Sequence, residues 1–323
     1  MLEDPASRNS PGAANSTLVD ELAGRWLPPA EGALSENTER AVRSDLAIYA
    51  AWCRERGLSA LPGSPTAIAA FVDDMAASRA PATVRRYVAS IAAAHRSFGG
   101  GQPSGSEVVK HALRRMHRRK GRRQQQAGGL TWPLRERLLE AAGDRLIDAR
   151  NRALLAVGYD TMLRRSELVD LQVTDLVVEM DGAATVLVRR GKADPEGRGA
   201  AVYLAADSVA LLREWLGRAG IADGRLFRSL CRGAVGERLD ASQVPRIYKG
   251  MARRAGLPPD VVDGLSGHST RVGPAQDMIA SGIGLPAILH AGRWKSTTMV
   301  NRYGERLLAR RSGAALLARL QRR

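Results

Sequence analysis

Seven side chains in and between three short motifs have the chemistry needed to act on a phosphate ester. The motifs are TMLRRSELVDL at 161–171, SGHSTRVG at 266–273 and AGRWKSTTMVNRY at 291–303. A single lysine lies between the first two, since the sequence has no other lysine from residue 121 to residue 248. The candidate residues are Arg164, Glu167, Lys192, His268, Arg271, Trp294 and Tyr303.

This set indicates phosphodiester chemistry that uses neither a metal nor a cofactor. Guanidinium groups hold the non-bridging oxygens of a phosphate and stabilise the charge that builds up there. A tyrosine oxygen can attack the phosphorus and form a covalent intermediate. An ammonium group can protonate the departing sugar oxygen, a role for which lysine is better suited than arginine. No cluster of Asp and Glu has the spacing of a two-metal site, which argues against a two-metal nuclease.

Simpler interpretations exist for some of these residues. Met299, Tyr303 and Leu307 are spaced four apart, which is also typical of the buried face of a helix. Lys192 could be an ordinary surface lysine. Arg165 stands next to Arg164 and could take its place, although the position of Arg164, three residues before Glu167, favours Arg164.

The elements that position these residues are predicted to be mainly helical. Pro274 is best tolerated in the first turn of a helix, so a helix is predicted to begin near Ser269. Ser296 is predicted to cap the helix that contains Tyr303. Three short Val-rich runs between residues 175 and 205 predict a small β-sheet, with a hairpin turn at the Asp-Gly pair 181–182.

The chain is predicted to contain two domains. Residues 1–16 have the composition of a disordered tail. Residues 17–123 contain four helical patterns, the first starting at Ser35, and 124–130 read as a linker. Residues 131–323 form the second, mostly helical domain that contains the sheet. The predicted fold class is therefore mainly α, with a small antiparallel sheet.

The charge of the chain predicts a nucleic-acid partner. Its 49 Lys and Arg residues against 33 Asp and Glu give a net charge of +16, and such a field attracts polyanions. Eight of the fourteen residues from 110 to 123 are basic, including Arg114 and Arg118. General solubility or a bias towards arginine would explain the charge without DNA. The N-terminus lacks the apolar stretch of a signal peptide and no run is long enough to span a membrane, which predicts a cytoplasmic protein without a membrane partner.

The order and context of the three motifs resemble those of the tyrosine recombinase, or phage integrase, family, from about residue 30 to the end. The resemblance implies that Tyr303 attacks the phosphate and becomes a 3′-phosphotyrosine. It also implies that Arg164 and Arg271 hold the non-bridging oxygens and that Lys192 protonates the 5′-oxygen. His268 and Trp294 would contact the phosphate, and Glu167 would support the site. Two residues depart from the family pattern, which often has Gly at Met162 and an apolar residue at Arg165.

The resemblance further implies how the protein meets DNA. The first domain would be the core-binding domain, and the target would be double-stranded DNA with inverted repeats. A homotetramer on two sites would exchange strands through a Holliday junction, with helix 312–321 docking into a neighbouring subunit. The host would be a bacterium or phage, and the protein would be nucleoid-associated. Candidate DNA contacts, each of which could bind phosphate rather than read a base, are Arg40, Arg43, Arg85, Arg86, Ser242, Gln243 and Arg246.

Two other functions share parts of this pattern. A non-catalytic, sequence-specific DNA-binding protein would explain the basic first domain. A type IB topoisomerase or a telomere resolvase would share the tyrosine chemistry without the tetramer.

Overall fold

The computed structural model describes five stretches of the chain, and the predicted tail 1–16 and Lys192 lie outside them. The chain divides into two compact units, 1–125 and 126–323. The described residues are 35–97, 99, 101–123, 126–189 and 199–323.

Unit 1 is helical throughout its described residues. Its elements are α1 (Glu36–Glu55), α2 (Pro65–Ser78), α3 (Pro81–Ser97), a short 3-10 turn at Pro103–Gly105 and α4 (Glu107–Lys120). Ser35 caps α1 as predicted, because its hydroxyl accepts a bond from the backbone N–H of Thr38. An aromatic cluster in the core joins α1 to α2 and α3 through Tyr49, Trp52, Phe71 and Tyr87.

Unit 2 begins with three helices and a small sheet. The helices are α5 (Trp132–Glu140), α6 (Leu146–Thr161) and α7 (Arg165–Asp170). An antiparallel sheet follows, with strand order β1-β2-β3 and Val186 as the central residue that pairs with Leu176 on one side and Val202 on the other. The strands are β1 (Leu176–Val178), β2 (Ala184–Val188) and β3 (Ala200–Leu204).

The sheet confirms the three Val-rich predictions and the turn between the first two strands. Gly182 has a φ of 85°, a conformation that glycine adopts without steric cost. The side chain of Asp181 accepts a 3.0 Å bond from the N–H of Ala183. The turn residues therefore satisfy the backbone locally, and β2 can return beside β1.

The remainder of unit 2 is helical apart from a two-stranded ribbon. Helices α6 and α8 pack together over a core centred on the fully buried Leu154, Trp215 and Phe227. The elements are α8 (Ala206–Ala219), β4 (Leu230–Cys231), β5 (Ala234–Val235), α9 (Gln243–Arg254), α10 (Pro259–Gly264), α11 (Ser269–Ala280), α12 (Leu285–Gly292), α13 (Thr298–Ala309) and α14 (Gly313–Leu320). The predicted fold class, mainly helical with a small antiparallel sheet, is confirmed.

Residues 126–130 are attached to unit 2 although they fall within the predicted linker. The N–H of Gly128 donates to the carbonyl of Gly264 at 2.8 Å, and that of Leu130 donates to Ser269 at 2.9 Å. Leu130 is fully buried. A Cβ on Gly273 would lie 1.9 Å from the carbonyl oxygen of Leu130, so only glycine allows this approach. We call residues 126–130 the entry strap.

The starts of two predicted helices can be compared directly. Helix α11 begins at Ser269 as predicted, although Pro274 lies beyond its first turn. Ser296 does not cap α13, which begins one residue later than predicted, after Thr297. The Ser296 hydroxyl faces the Thr298 hydroxyl at 3.4 Å instead of a free backbone N–H, so it has no capping role.

No helix among the described residues is long and apolar enough to cross a membrane.

Candidate active site

The first arginine of the site is held by a glutamate one helical turn away. Helix α6 ends at Thr161 with Met162 as its C-cap, and Arg164 is the N-cap residue of α7. Glu167 in the first turn of α7 accepts the Arg164 N–H at 3.0 Å through Oε2 and the Arg164 Nη1 at 2.7 Å through Oε1. Arg165 is exposed at the start of α7, so the geometry favours Arg164 as the fixed guanidinium.

Glu167 remains ionised despite its burial. It is only 6% exposed, and burial alone would raise its pKa. The backbone bond from Arg164 and the charges of Arg293 and Arg164 outweigh burial and hold the pKa of Glu167 below its ordinary value. The buried carboxylate therefore acts as a fixed anion that orients Arg164.

The second arginine lies deep in unit 2. Arg271 is 2% exposed in the first turn of α11. Its Nη1 donates to the carbonyl of Met162, and its Nη2 donates to that of Gly292 at 2.9 Å. Burial, together with the charge of Arg164, lowers the pKa of Arg271 to about 10. The side chain is therefore still a cation at neutral pH, held in place before any ligand arrives.

Trp294 and Tyr303 lie beside this buried cation. The Arg271 Cζ is 5.2 Å from the centre of the Trp294 ring, within the range of a cation–π contact. The Trp294 and Tyr303 rings meet edge to face, with centroids 5.7 Å apart. Gly292 makes room for the indole, since a Cβ there would lie 2.2 Å from the Trp294 ring.

The environment of Tyr303 shows that its ring lies on a buried face of α13, as the spacing of Met299, Tyr303 and Leu307 indicated. The residue is 7% exposed and packs with Met162, Val272 and Ala275, so its ring belongs to a small core. Burial raises the pKa of its phenol, although the charges of Arg271, Arg302 and Arg164 oppose this. The hydroxyl therefore keeps its proton at neutral pH, and attack on phosphorus requires a group that removes it.

His268 lies immediately before α11, at its N-cap position. Packing around the imidazole, together with the charges of Arg271, Arg164 and Arg165, lowers its pKa. Although the residue as a whole is exposed, the ring is thus more strongly biased towards its neutral form than a free histidine. A neutral imidazole can accept a proton.

Six of the seven candidates therefore lie in one region of unit 2, on α7, the start of α11, the residues after α12 and α13. Lys192 falls between β2 and β3, outside the described residues. Among the described residues no group of three His, Cys, Asp or Glu side chains could hold a metal ion.

Arg293 also belongs to this region but was missed from the sequence. Its Nη2 donates to Oε2 of Glu167. It lies inside the third motif, between Gly292 and Trp294. Nothing in the sequence distinguishes it from the many surface arginines of this chain.

Most of the predicted DNA contacts lie on exposed surfaces, and one of these exposed residues, Arg86, also pairs with a buried carboxylate. Its Nε and Nη2 donate to the two oxygens of Asp45 at 3.1 and 2.8 Å. Asp45 is fully buried and also accepts the Ser90 hydroxyl. Because a buried carboxylate left without its cation is costly, Arg86 is engaged in joining α1 to α3. The sequence pattern did not predict this pairing.

The other candidate contacts fall into two groups. In unit 1 all five are exposed on α1, α3 and α4; they are Arg40, Arg43, Arg85, Arg114 and Arg118. In unit 2 Ser242 and Arg246 are exposed and Gln243 is half-buried at the start of α9.

The chain is similar to known proteins over most of its length. Residues 134–308 match the model of the phage integrase family. The chain is 30% identical over 290 residues to the integrase/recombinase xerD homolog of Selenomonas ruminantium, covering 85% of this chain and 83% of that protein. It is 28% identical over 291 residues to the recombinase cre of Escherichia phage P1, covering 84% of each.

Solved structures share the fold. XerH bound to a difH substrate in a pre-cleavage complex aligns with a TM-score of 0.60 at 17% identity, over 94% of each chain. A lambda integrase tetramer bound to a Holliday junction aligns with a TM-score of 0.60 at 18% identity, over 92% of this chain and 81% of that one. With its three motifs gathered around Arg271 and its match to the family model over more than half its length, the chain belongs to the phage integrase family of tyrosine recombinases, which are DNA strand transferases.

Proposed function

We propose that this protein is a site-specific recombinase that cuts and rejoins DNA through a 3′-phosphotyrosyl link at Tyr303. The observation that carries the proposal is the position of Tyr303, whose ring touches the indole that covers the buried Arg271. A phenol beside a fixed cation is suited to attack an anionic phosphate, because the cation offsets the charge that develops on phosphorus oxygens.

Arg164 and Arg271 would hold the two non-bridging oxygens. Each guanidinium carries five N–H donors. Arg271 uses one Nη on Met162 and the other on Gly292, and each of these Nη atoms keeps a second N–H. Arg164 uses one Nη on Glu167. Donors therefore remain on both side chains for a phosphate, and the Trp294 indole N–H would add one more.

Two proton transfers complete each cleavage. The Tyr303 proton must leave as its oxygen bonds to phosphorus, and the neutral imidazole favoured by the lowered pKa of His268 makes His268 the acceptor in our proposal. The departing 5′-oxygen takes a proton from Lys192. The phosphotyrosyl ester then conserves the energy of the broken phosphodiester bond, so that rejoining is the reverse attack by a 5′-hydroxyl and requires no nucleotide cofactor.

The assembly would be a homotetramer on two double-stranded sites, each with inverted repeats. This part of the proposal rests on relatives, one of which is a lambda integrase tetramer bound to a Holliday junction. The basic α4 and the exposed arginines of α1 and α3 would bind the DNA backbone of each site. The curated relatives come from a bacterium and a phage, and we propose that this protein likewise acts on DNA in a bacterial cytoplasm, associated with the nucleoid.

The test of the proposed function is to trap and map the covalent intermediate. A target duplex with a nick next to the scissile phosphate loses the short fragment after cleavage, so rejoining fails and the adduct accumulates. We expect a denaturation-resistant protein–DNA adduct whose digest contains the DNA on the peptide with Tyr303. An adduct on another residue, or none on a duplex that the protein binds specifically, would contradict the proposal.

The C-terminal helix α14 is proposed to join neighbouring subunits. Leu316, Leu317 and Leu320 are 52%, 48% and 83% exposed within the single chain, so this chain itself does not cover them. Deleting residues 312–323 should make binding to paired half-sites non-cooperative and leave single half-site binding intact, as measured by gel shift.

The control for this deletion preserves the leucines and removes the same charges. The deleted segment contains three arginines, so the full-length chain with Arg319→Ala, Arg322→Ala and Arg323→Ala loses the same charge. Cooperativity should survive in this variant. If the deletion stays cooperative, or if the charge variant loses cooperativity to the same extent, apolar docking of α14 is wrong.

A further inference from the structure

We infer that Arg293 is a positioning residue of the recombination site. By binding Glu167, it holds its neighbours Gly292 and Trp294 in a fixed position relative to Arg164 and Arg271. This inference rests on the proposed function for its effect on DNA cleavage. The contact between Arg293 and Glu167 does not depend on the proposed function, because it is made within the protein. The first support comes from the backbone at Arg293.

Arg293 adopts a conformation that is costly for any residue with a side chain. Its φ is 51° and its ψ 47°, in the left-handed region, where it ends helix α12. Glycine usually fills such a position because a Cβ there crowds the carbonyl. Among the described residues only three other non-glycine residues have a positive φ, and they are Met162, Arg232 and Arg322. A strained backbone that bears a long cationic side chain suggests that the side chain has a role.

The side chain turns inward to Glu167. It is 17% exposed, and its Nη2 donates to Oε2 of Glu167, which lies 126 residues earlier in the chain. The Nε of Arg293 is buried and has no hydrogen-bond partner. Burial of a guanidinium with one donor unsatisfied costs free energy, which its pairing with Glu167 must offset.

Glu167 thereby receives a cation on each oxygen. Arg164 binds Oε1 through Nη1, and Arg293 binds Oε2. Oε2 also accepts the backbone N–H of Arg164 at 3.0 Å, so Arg164 reaches both oxygens and holds the soft last torsion of Glu167 relative to α7. Arg293 adds a second cation on Oε2 from outside α7, so the carboxylate that holds Arg164 is also tied to residues 292–294.

The three residues 292–294 connect both guanidiniums to the nucleophile. The carbonyl of Gly292 accepts Arg271, Arg293 binds the glutamate that holds Arg164, and Trp294 lies between Arg271 and Tyr303. The Arg293–Glu167 bond is therefore the tie between this short segment and α7. Without it, the segment is linked to the phosphate-binding arginines only through Arg271.

The charged surroundings of Glu167 predict a distinctive pH dependence. The cations that face it in the described structure are Arg164 from its own helix, Arg293 from the end of α12 and, at longer range, Arg271 from α11. Glu167 also lines a cavity, and the other charged residues of that cavity form ion pairs with one another, Arg189 with Asp175 and Arg225 with Asp170. Loss of Arg293 removes one of the groups that offset burial, so the pKa of Glu167 must rise. A carboxylate with a raised pKa is protonated at higher pH, and its hold on Arg164 weakens as the solution is acidified.

The test uses Arg293→Gly, with Arg293→Lys as its matched control. Glycine accepts the left-handed backbone, so the fold should be kept. Lysine keeps the charge but not the forked geometry. With saturating nicked duplex, Arg293→Gly should form the Tyr303 adduct more slowly, on the order of 100-fold, which is the loss that a small misplacement of a catalytic group can cause. DNA affinity should change little, and Arg293→Lys should recover part of the rate.

Two further readouts separate positioning from direct DNA contact and from general damage. The rate deficit of Arg293→Gly relative to the wild type should grow as the pH falls from about 7 towards about 5, approaching the ordinary glutamate pKa of about 4.3. In a Glu167→Gln background, Arg293→Gly should add almost no further loss, because the two residues act as a unit. Losses that multiply, or a weakened affinity at unchanged rate, would overturn the inference in favour of direct contact with DNA.

A DNA-free measurement keeps this result distinct from the proposed function. The double-mutant cycle consists of the wild type, Arg293→Gly, Glu167→Gln and the variant with both changes. Unfolded with urea at neutral pH, these four proteins should show a favourable coupling free energy between Arg293 and Glu167. If the wild type forms no adduct at Tyr303, the proposed function fails while the unfolding cycle still tests the tie. Absence of coupling, or a wild-type adduct rate in Arg293→Gly across the pH range, refutes the inference itself.

Discussion

Tyr303→Phe is expected to bind its DNA target normally and to form no covalent adduct with it. The substitution removes only the phenol oxygen, the proposed nucleophile. The phenyl ring still fits the core formed with Met162, Val272 and Ala275 and can still meet Trp294 edge to face. Binding is measured by gel shift, and adduct formation is measured on denaturing gels with the nicked duplex.

The matched control is Tyr203→Phe. Tyr203 is in the same unit, on β3, and is 62% exposed, so the same chemical change there touches neither the core nor the site. It should form the adduct at the wild-type rate. If Tyr303→Phe forms adduct at the wild-type yield, Tyr303 is only a core aromatic and the nucleophile is another residue.

Lys192→Ala is expected to cleave ordinary DNA about 100-fold to 10,000-fold more slowly than the wild type, the range for loss of a positioned general acid. The sugar 5′-oxygen is a poor leaving group unless it is protonated. A sulfur at that bridging position leaves as a thiolate, since thiols are far more acidic, with a pKa of about 8.5 for cysteine as a guide. The variant should therefore cleave a 5′-bridging phosphorothiolate duplex nearly as fast as the wild type.

Arg164→Ala provides the contrast for this experiment. Its proposed role is to stabilise charge on the non-bridging oxygens, which the sulfur substitution leaves unchanged. It should stay slow on both substrates. Equal slowness of Lys192→Ala on both substrates would show that Lys192 is not the acid, and His268 would then be the next candidate.

Much of the fold and the grouping of the site could be predicted from the sequence because the relevant signals are local. The start of α11 at Ser269, the cap at Ser35 and the turn at 181–182 depend on residues within a few positions of each other. The motifs that contain Arg164, Arg271 and Tyr303 were likewise visible as short stretches. Their roles in the reaction remain predictions, as does the role of Lys192.

The missed features depend on contacts between residues far apart in the chain. The pairing of Arg86 with Asp45, 41 residues earlier, was not predicted, and Arg86, whose side chain is 55% exposed, stays a predicted DNA contact. Arg293 binds Glu167 from a left-handed backbone position, where a local propensity argument would place glycine rather than arginine. Neither the buried partner nor the turn of the backbone leaves a pattern in the sequence, so one arginine could not be distinguished from another in an arginine-rich chain.

The entry strap limits where the gene can be divided to express unit 2 alone. A fragment that starts at the predicted boundary, residue 131, would lack Leu130, whose buried side chain and backbone bond to Ser269 cover the start of α11. That helix begins two residues before Arg271, so the cut would expose apolar surface next to Arg271. A fragment beginning at Gln126 retains the strap and the 2.6 Å bond from its side-chain amide to the carbonyl of Arg302, the residue before Tyr303. A fragment designed to keep Arg271 and Tyr303 in place should therefore include the five residues that a composition-based boundary would discard.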